Sequence, residues 1–460
     1  MSRLHLNAFD MSCVGHQSPG LWKHPDDRAH TYTDLEYWTG LARLLERGGF
    51  DSLFLADVLG VYDVYQGSRE AAVRDGVQVP VNDPLPAVPA MAAVTEHLGF
   101  GVTASLTYEH PYAFARRMAT VDHLTKGRVA WNIVTSYLDS AARNLGLRRQ
   151  LSHDDRYELA EEYLEVCYKL WEYSWEDDAV VRDAERGVFT DPAKVHDIAH
   201  DGPHFQVPGA FLSEPSPQRT PVLYQAGASS RGRAFAARHA EGVFISAYDA
   251  GVVRQYVDDT RARAAAEGRD PASLKFFAMV TPIVADSDAA AERKLAAYRE
   301  LASDDGALVL YGGWSGLDLS RYERDQALEY VENDAIQSAV HTFTKADPDR
   351  KWTPRDIARF IGVGGMGPVV AGSPATVADE LERFAEDSGV DGFNIAYATT
   401  PGTFEEFVDL VVPELRRRGR ARETYEGSTL RENIYEPGQR RLRDDHPGAA
   451  YRHAHLAEPA

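Results

Sequence analysis

The chain has 460 residues, 44% of them hydrophobic and 26% charged, which is ordinary globular composition. Its 49 basic and 70 acidic side chains leave a formal net charge of −21, which repels nucleic-acid phosphates and favours solubility. The first residues carry no cationic start with an apolar core, no apolar run approaches ~18 residues, and two separated cysteines form no disulfide framework, so a cytoplasmic protein without a membrane span is expected.

Short apolar runs alternate with helical patterns along the chain. Residues 4–9 read as a first strand. Leu35, Trp38, Leu41 and Leu45 then recur at helical spacing from Asp34 until Gly48-Gly49 stops them. Residues 52–57 are a second strand and 88–98 a helix. Residues 101–105 are a third strand, followed by a helix over 112–124 that Gly127 ends. Residues 129–134 are a fourth strand, followed by a helix over 157–171. Residues 223–226, 243–246, 275–284 and 392–396 supply strands five to eight, each with a helical pattern behind it. The last pattern carries Phe404, Phe407, Val408, Val411 and Leu415 up to Gly419.

Eight β-then-α units imply parallel strands under covering helices, and eight strands close a barrel that side chains can fill. The expected fold is therefore α/β, a (β/α)8 TIM barrel. A doubly wound open sheet is the rival, but no Gly-x-Gly-x-x-Gly follows strand one. The glycine-rich residues 362–367 read as a flexible loop. A minimal barrel needs ~250 residues. The excess falls in insertions after strands 1, 2, 4 and 7, at residues 13–33, 62–83, 172–221 and 303–372. Residues 1–420 form the barrel domain. Residues 421–460 form a polar C-terminal extension, expected to wrap the surface or a partner subunit.

Barrel enzymes place their chemistry at the C-terminal ends of strands. Those ends supply Asp10, with Cys13 and His16 beyond it, then Asp57 and Tyr62, then Thr107-Tyr108-Glu109-His110. Strand four ends in Asn132 and Thr135-Ser136-Tyr137. Strand five runs into Gln225-Ala226-Gly227-Ala228-Ser229-Ser230-Arg231-Gly232 and a helix. That passage suits a phosphate held by backbone N–H groups and a serine hydroxyl. A plain N-cap explains the same serines equally well. Cys13 and His16 resemble a thiol with its base. A lone cysteine is more often a small apolar residue, so Cys13 is expected to line a pocket and His16 to handle protons. His110 and His123 read as capping or core histidines and Cys167 as core. Trp314 reads as a lid residue or a packed aromatic. No two histidines and a carboxylate converge at ligand spacing, so no metal is expected.

Several strings, in order, resemble the bacterial-luciferase-like flavin monooxygenases. They include Leu6-Asn7-Ala8-Phe9-Asp10-Met11, Phe54-Leu55-Ala56-Asp57, Pro80-Val81-Asn82-Asp83-Pro84, Asp122-His123-Leu124-Thr125-Lys126-Gly127-Arg128, Trp131-Asn132-Ile133-Val134-Thr135-Ser136 and Glu214-Pro215-Ser216-Pro217-Gln218-Arg219. The resemblance covers residues 4–418 and is nearest the branch acting on nitrilotriacetate, dibenzothiophene sulfone, long-chain alkanes and dimethyl sulfide. Cys13-Val14-x-His16, Tyr62-Asp63-Val64-Tyr65 and Tyr163-Leu164-Glu165 resemble the alkane and sulfide enzymes. The alkane pattern carries a His where this chain has Tyr137 and another near Tyr311, and this chain has none between His239 and His341.

The resemblance implies FMN-site residues at Asp57, Ser136, Tyr157, Ala226, Gly227, Ala228 and Ser229. It implies a catalytic pocket around His16, Tyr62, Cys13, Gln78 and Tyr137. It also implies reduced FMN from a separate NAD(P)H:flavin reductase, O2 as co-substrate and a C4a-peroxyflavin. The substrate it implies is a small organosulfur compound such as dimethyl sulfide, converted to methanethiol and formaldehyde, with alkane hydroxylation as the alternative. A deazaflavin-dependent oxidoreductase and a non-enzymatic flavin-binding relative are the rival classes. A homodimer or tetramer is expected.

Overall fold

The computed structural model describes residues 3–227, 229–328 and 352–456. Among the described residues eight strands pair in parallel around the barrel, β1 (His5–Met11), β2 (Ser52–Ala56), β3 (Gly99–Ser105), β4 (Val129–Val134), β5 (Val222–Gln225), β6 (Gly242–Ile245), β7 (Lys275–Val284) and β8 (Gly392–Ala396), and a short ninth, Val369–Gly372, pairs in parallel with the end of β7. β1 pairs with both β2 and β8, with Phe9 opposite Phe54 and Ala396, and β6 pairs with both β5 and β7. The sheet therefore closes into the (β/α)8 barrel that the element order predicts. The strands are buried almost throughout, as parallel strands covered on both faces must be.

The covering helices are α1 (Leu35–Arg47), α2 (Val88–Ala93), α3 (Pro111–Thr125), α4 (His153–Tyr168), α5 (Ser230–His239), α6 (Ala250–Ala266), α7 (Pro374–Ser388) and α8. The last begins at Gly402–Glu406 and runs through a π turn, Phe407–Val411, into Val412–Arg417. α1 buries Trp38, Leu41, Ala42 and Leu45, the face its spacing predicts. α2 stops at Ala93, short of the expected residue 98. The guanidinium of Arg128 supplies the reason. It donates to the Ala92 and Leu98 carbonyls and the Thr95 hydroxyl, so the turn after α2 is satisfied without helix. Among the described residues no helix is long and apolar enough to cross a membrane.

The long connections gather at the two ends of the barrel. At the C-terminal mouth, the segment after β1 bridges the segment after β2 at Cys13–Val81 and Gly15–Val77. The connection between β7 and α7 adds the helices Asp304–Ser315 and Pro354–Ile361. Their Leu310, Tyr311 and Ile357 pack with Tyr62, Tyr65 and Leu138 into one apolar cluster, a roof over this mouth. The glycine-rich residues 362–367 are not the expected flexible loop. They are a buried turn in which the Gly364 N–H donates to Ser18 Oγ. The segment between α4 and β5 lies apart from the roof and carries two small antiparallel hairpins, Val180–Asp183 with Val188–Thr190 and His200–Asp201 with Gln206–Val207.

At the opposite mouth, the chain beyond α8 plugs the barrel. Leu430 and Ile434 of the short helix Leu430–Ile434 join Phe54, Ala130, Tyr224 and Phe277 in the lumen. Arg431, fully buried, grips both carboxylate oxygens of Glu241 at 2.7 and 2.9 Å and donates to the Thr220 carbonyl. Arg422 pairs with the buried Asp51. Burial alone would raise the Asp51 carboxyl, but Arg422 and His5 hold it well below the usual range.

Candidate active site

Two adjoining cavities of about 340 and 200 Å³ lie at the C-terminal ends of the strands. The larger is bounded by the ends of β2 to β5, the start of α4 and the roof, and it gathers most of the residues singled out from the sequence. Asp57, Ser136, Tyr157, Ala226, Gly227 and Ser229 all line it, as do His16, Tyr62, Gln78 and Tyr137. Ala228 lies outside the described residues.

One end of this cavity is a cradle for an anion. Ser229 caps α5, its Oγ accepting from the Gly232 N–H at 3.0 Å. The Gly227 N–H donates to Gln225 Oε1 at 2.7 Å. A Cβ on Gly232 would lie 2.8 Å from Tyr157 Oη and 3.0 Å from the Gly227 Cα, so only glycine lets loop, helix and phenol approach this closely. His153 Nε2 stands 3.1 Å from Ser229 Oγ, and Arg156 lines the same end while donating to the Ser136 carbonyl. The N-terminus of α5 thus meets a hydroxyl, an imidazole, a guanidinium and a phenol around one space, an arrangement that favours an anion. The sequence reasoning missed His153 and Arg156 because it began the helix at Tyr157. Ser152, which caps α4 by accepting from the Asp155 N–H, and the acidic first turn Asp154-Asp155 were the signal that the helix starts earlier.

The middle of the cavity carries polar groups on strained or incompletely bonded positions. Ser136 holds a left-handed backbone (φ 55°), and its Oγ donates to Ser105 Oγ at 2.8 Å. Asn132 donates to Thr103 Oγ1 at 2.9 Å, while its buried Oδ1 accepts nothing among the described residues. Asp57 is half-buried, and its carboxyl is pushed up to about 7 by burial and by the neighbouring Asp83 charge.

Under the roof the hydroxyls form a directed chain. Tyr62 Oη donates to Gln78 Oε1 at 2.9 Å, and Gln78 Nε2 donates to the His16 carbonyl at 3.0 Å. A phenol has one proton, so the 2.8 Å contact between the two tyrosines has Tyr137 donating to Tyr62. A lone pair on Tyr137 then remains for a donor in the cavity. Burial pushes Tyr62 up to about 12 and Tyr137 well above the usual phenol range, so both stay neutral. The Tyr62 ring lies on the helix Asp304–Ser315 at Gly313, where a Cβ would stand 2.0 Å from Tyr62 Cδ1.

His16 is buried edge-on against Phe9, and burial lowers it to about 3, so it is a neutral imidazole at any ordinary pH. The Gln17 amide donates to its Nε2 at 3.2 Å, which places the ring proton on Nδ1, an atom with no partner among the described residues.

Cys13 departs from expectation. The pairing of the two insertions at Cys13–Val81 buries it, and it lines neither cavity. Burial, with Asp10 nearby, pushes its thiol well up, so it is no thiolate. Asp10 is likewise buried off the cavity, between the Met11 N–H at 2.7 Å and Tyr37 Oη at 2.9 Å. Cys167 is core. His110 caps α3, and His123 bonds the Glu214 carbonyl.

A closed parallel barrel whose strand ends open into a roofed polar cleft defines an enzyme of the TIM-barrel class. The chain matches the model for luciferase-like monooxygenases over residues 20–392, and it belongs to that family. It is accordingly an enzyme of the monooxygenase type. The dimethyl-sulfide monooxygenase of Hyphomicrobium sulfonivorans is 55% identical over 456 residues, 99% of this chain and 95% of its own length. The crystal structure of DmoA from the same organism matches with a TM-score of 0.93 at 55% identity, over 100% of this chain and 97% of that one. The long-chain alkane monooxygenase of Geobacillus thermodenitrificans is 52% identical over 450 residues, 98% of either chain. Riboflavin lyase, solved with modified FMN and riboflavin, matches with a TM-score of 0.92 at 37% identity, over 98% of this chain and 100% of that one.

Proposed function

We propose that this enzyme takes reduced FMN from a separate NAD(P)H-dependent flavin reductase and uses it with O2 to oxidise a small organosulfur compound, dimethyl sulfide foremost. The observation that carries the flavin is the cradle. Two glycines, the Ser229 cap, His153, Arg156 and Tyr157 meet where an FMN phosphate needs them. A flavin ring extending from it would pass Asn132, whose Oδ1 accepts no bond among the described residues, and Ser136 and Asp57 beyond. The relative solved with modified FMN supports the same fit. No dinucleotide fingerprint follows β1, which is why a reductase is assigned to another chain.

Reduced FMN, when bound, supplies the activation of O2. The chain supplies position, dryness and proton placement. Ser229, Tyr157 and the start of α5 hold the phosphate. The roof over Tyr62 and Trp314 keeps bulk water from the reacting centre. His16, neutral, offers the Nδ1 proton as a hydrogen-bond donor and not as a stored acid. The Tyr137–Tyr62–Gln78 chain fixes an acceptor at Tyr137 and connects it to the His16 backbone. For dimethyl sulfide the reaction balances as sulfide, O2 and reduced FMN giving methanethiol, formaldehyde, water and FMN. Tyr137 in place of an imidazole narrows the pocket toward such a small substrate. The relative named for dimethyl sulfide supports this choice over an alkane.

The test is a substrate screen with a generic flavin reductase, following O2 uptake and product together. Dimethyl sulfide should give product in step with O2 consumed, ahead of a mid-length and a long alkane. Turnover of the alkanes alone would transfer the reading to alkane hydroxylation. Reduction of a substrate by a deazaflavin without O2 uptake would remove the monooxygenase mechanism altogether.

A further inference from the structure

The smaller cavity, on the β6–β7 side, shares Ala226 and Gly227 with the cradle, and the rest of it has no task in the reading above. Its wall is apolar, formed by Phe54, Val243, Phe244, Ile245, Met279 and Met366. Its polar side chains are Gln17, Arg233, Ser246, Tyr256, Thr260 and Asn394. Asn394 lines it, and its buried Oδ1 accepts no hydrogen bond among the described residues. The Ser246 hydroxyl is turned to the Met279 sulfur at 3.7 Å. Arg233, the cation at its edge, is bound to Asp259 at 2.5 Å and lies over the Tyr256 ring.

A wall of this kind disfavours an anion, because the charge would be desolvated without a partner. It favours a neutral saturated chain with at most one donor, which Asn394 would accept. The volume, about 200 Å³, exceeds the ~150 Å³ of an engineered apolar cavity that takes up benzene. Phe9, Gln17, Phe54 and Trp314 line both cavities, so the two adjoin beside Trp314.

We propose that the smaller cavity binds the apolar arm of the substrate, an alkyl chain or thioether arm, and that Trp314 sets how much chain passes into it. The inference rests on the larger cavity being the FMN and reaction site. It gives this enzyme a substrate range that extends beyond dimethyl sulfide to longer sulfides.

Isothermal titration of the FMN-loaded protein with dibutyl sulfide tests it. Ser246→Phe fills the smaller cavity. Wild type should bind dibutyl sulfide, and Ser246→Phe should weaken that binding roughly tenfold while FMN affinity holds within about twofold. Trp314→Ala should open the passage and strengthen binding of dihexyl sulfide, and it carries the test alone if Ser246→Phe does not fold. Wild type that holds FMN but does not bind dibutyl sulfide would overturn the proposal. So would equal dibutyl sulfide affinity in Ser246→Phe and wild type, or no change with dihexyl sulfide in Trp314→Ala. A parallel loss of FMN affinity in Ser246→Phe would place the flavin itself in this cavity and overturn it too. Failure of wild type to bind FMN at all would count instead against the reading of the larger cavity.

Discussion

The two mouths of the barrel are framed by the same eight strands and differ in how they use their buried charges. At the N-terminal mouth, buried charges meet partners: Arg431 holds Glu241 with two bonds, and Arg422 and His5 hold Asp51. At the C-terminal mouth, Asn132 Oδ1, Asn394 Oδ1 and His16 Nδ1 are buried without partners among the described residues, and open volume adjoins them. A closed mouth spends its polar groups on stability, whereas an open one keeps them for a ligand. If that division is right, mutations at the two ends should separate stability from flavin binding.

The largest effect should come from the plug. Arg431→Ala leaves Glu241 buried and unpaired, a change that typically costs ~3–5 kcal/mol. Denaturant unfolding should show that loss, while FMN affinity measured on the folded fraction stays at the wild-type value. A matching fall in FMN affinity would mean that the two mouths are not independent.

Ser229→Asp reverses the pattern. Asp is as good an N-cap as Ser, so stability should change by less than ~0.5 kcal/mol. Its carboxylate would face the FMN phosphate, and affinity should drop at least tenfold, ~1.4 kcal/mol. An unchanged flavin titration would move the phosphate elsewhere.

Asp10 tests the boundary between the site and its support. Burial raises its carboxyl from 3.8 to about 7, so the folded state prefers it protonated. The stability this contributes is complete below pH 3.8 and is lost as pH rises through about 7, by at most ~1.4 kcal/mol per pH unit between. Asp10→Asn removes the dependence. The wild-type stability relative to the variant should therefore fall from pH 4 to 7 and level off above. A flat difference would show that Asp10 is ionised in the fold.

Smaller effects are expected within the pocket. Tyr137→His should leave FMN binding intact, introduce a titrating group below the ordinary imidazole value of ~6.5, since burial lowers it, and lower the kcat/KM ratio of a short sulfide to a longer one. If neither ratio nor pH profile moves, Tyr137 does not face the substrate. Cys13→Ala should change turnover least, because the thiol is buried off both cavities. Loss of activity together with a covalent adduct in intact mass would make Cys13 a nucleophile after all.

Much of the barrel was legible because each strand is a short apolar run closed by a glycine or polar residue, and each helix carries a 3.6-residue apolar face. What stayed hidden depended on contacts distant in sequence. The early end of α2 is set by Arg128, roughly a helix and a strand further on. The burial of residues 362–367 depends on Gln17 and Ser18, brought over them by the first insertion. His153 and Arg156 went unnoticed through a helix start placed one turn late. The cradle was legible as a glycine-and-serine strand-to-helix passage. Its phenol, Tyr157, was implied by the resemblance, whereas its imidazole and guanidinium, also from α4, reach it only through the closure of β4 against β5.

The most direct measurement compares FMN with riboflavin, two ligands that differ only in the phosphate. Fluorescence titration of the wild-type protein should show FMN binding at least tenfold more tightly, ~1.4 kcal/mol, and Ser229→Asp should erase most of that preference. Equal affinity for the two flavins would contradict the claim that the strand-five cradle holds the cofactor's phosphate.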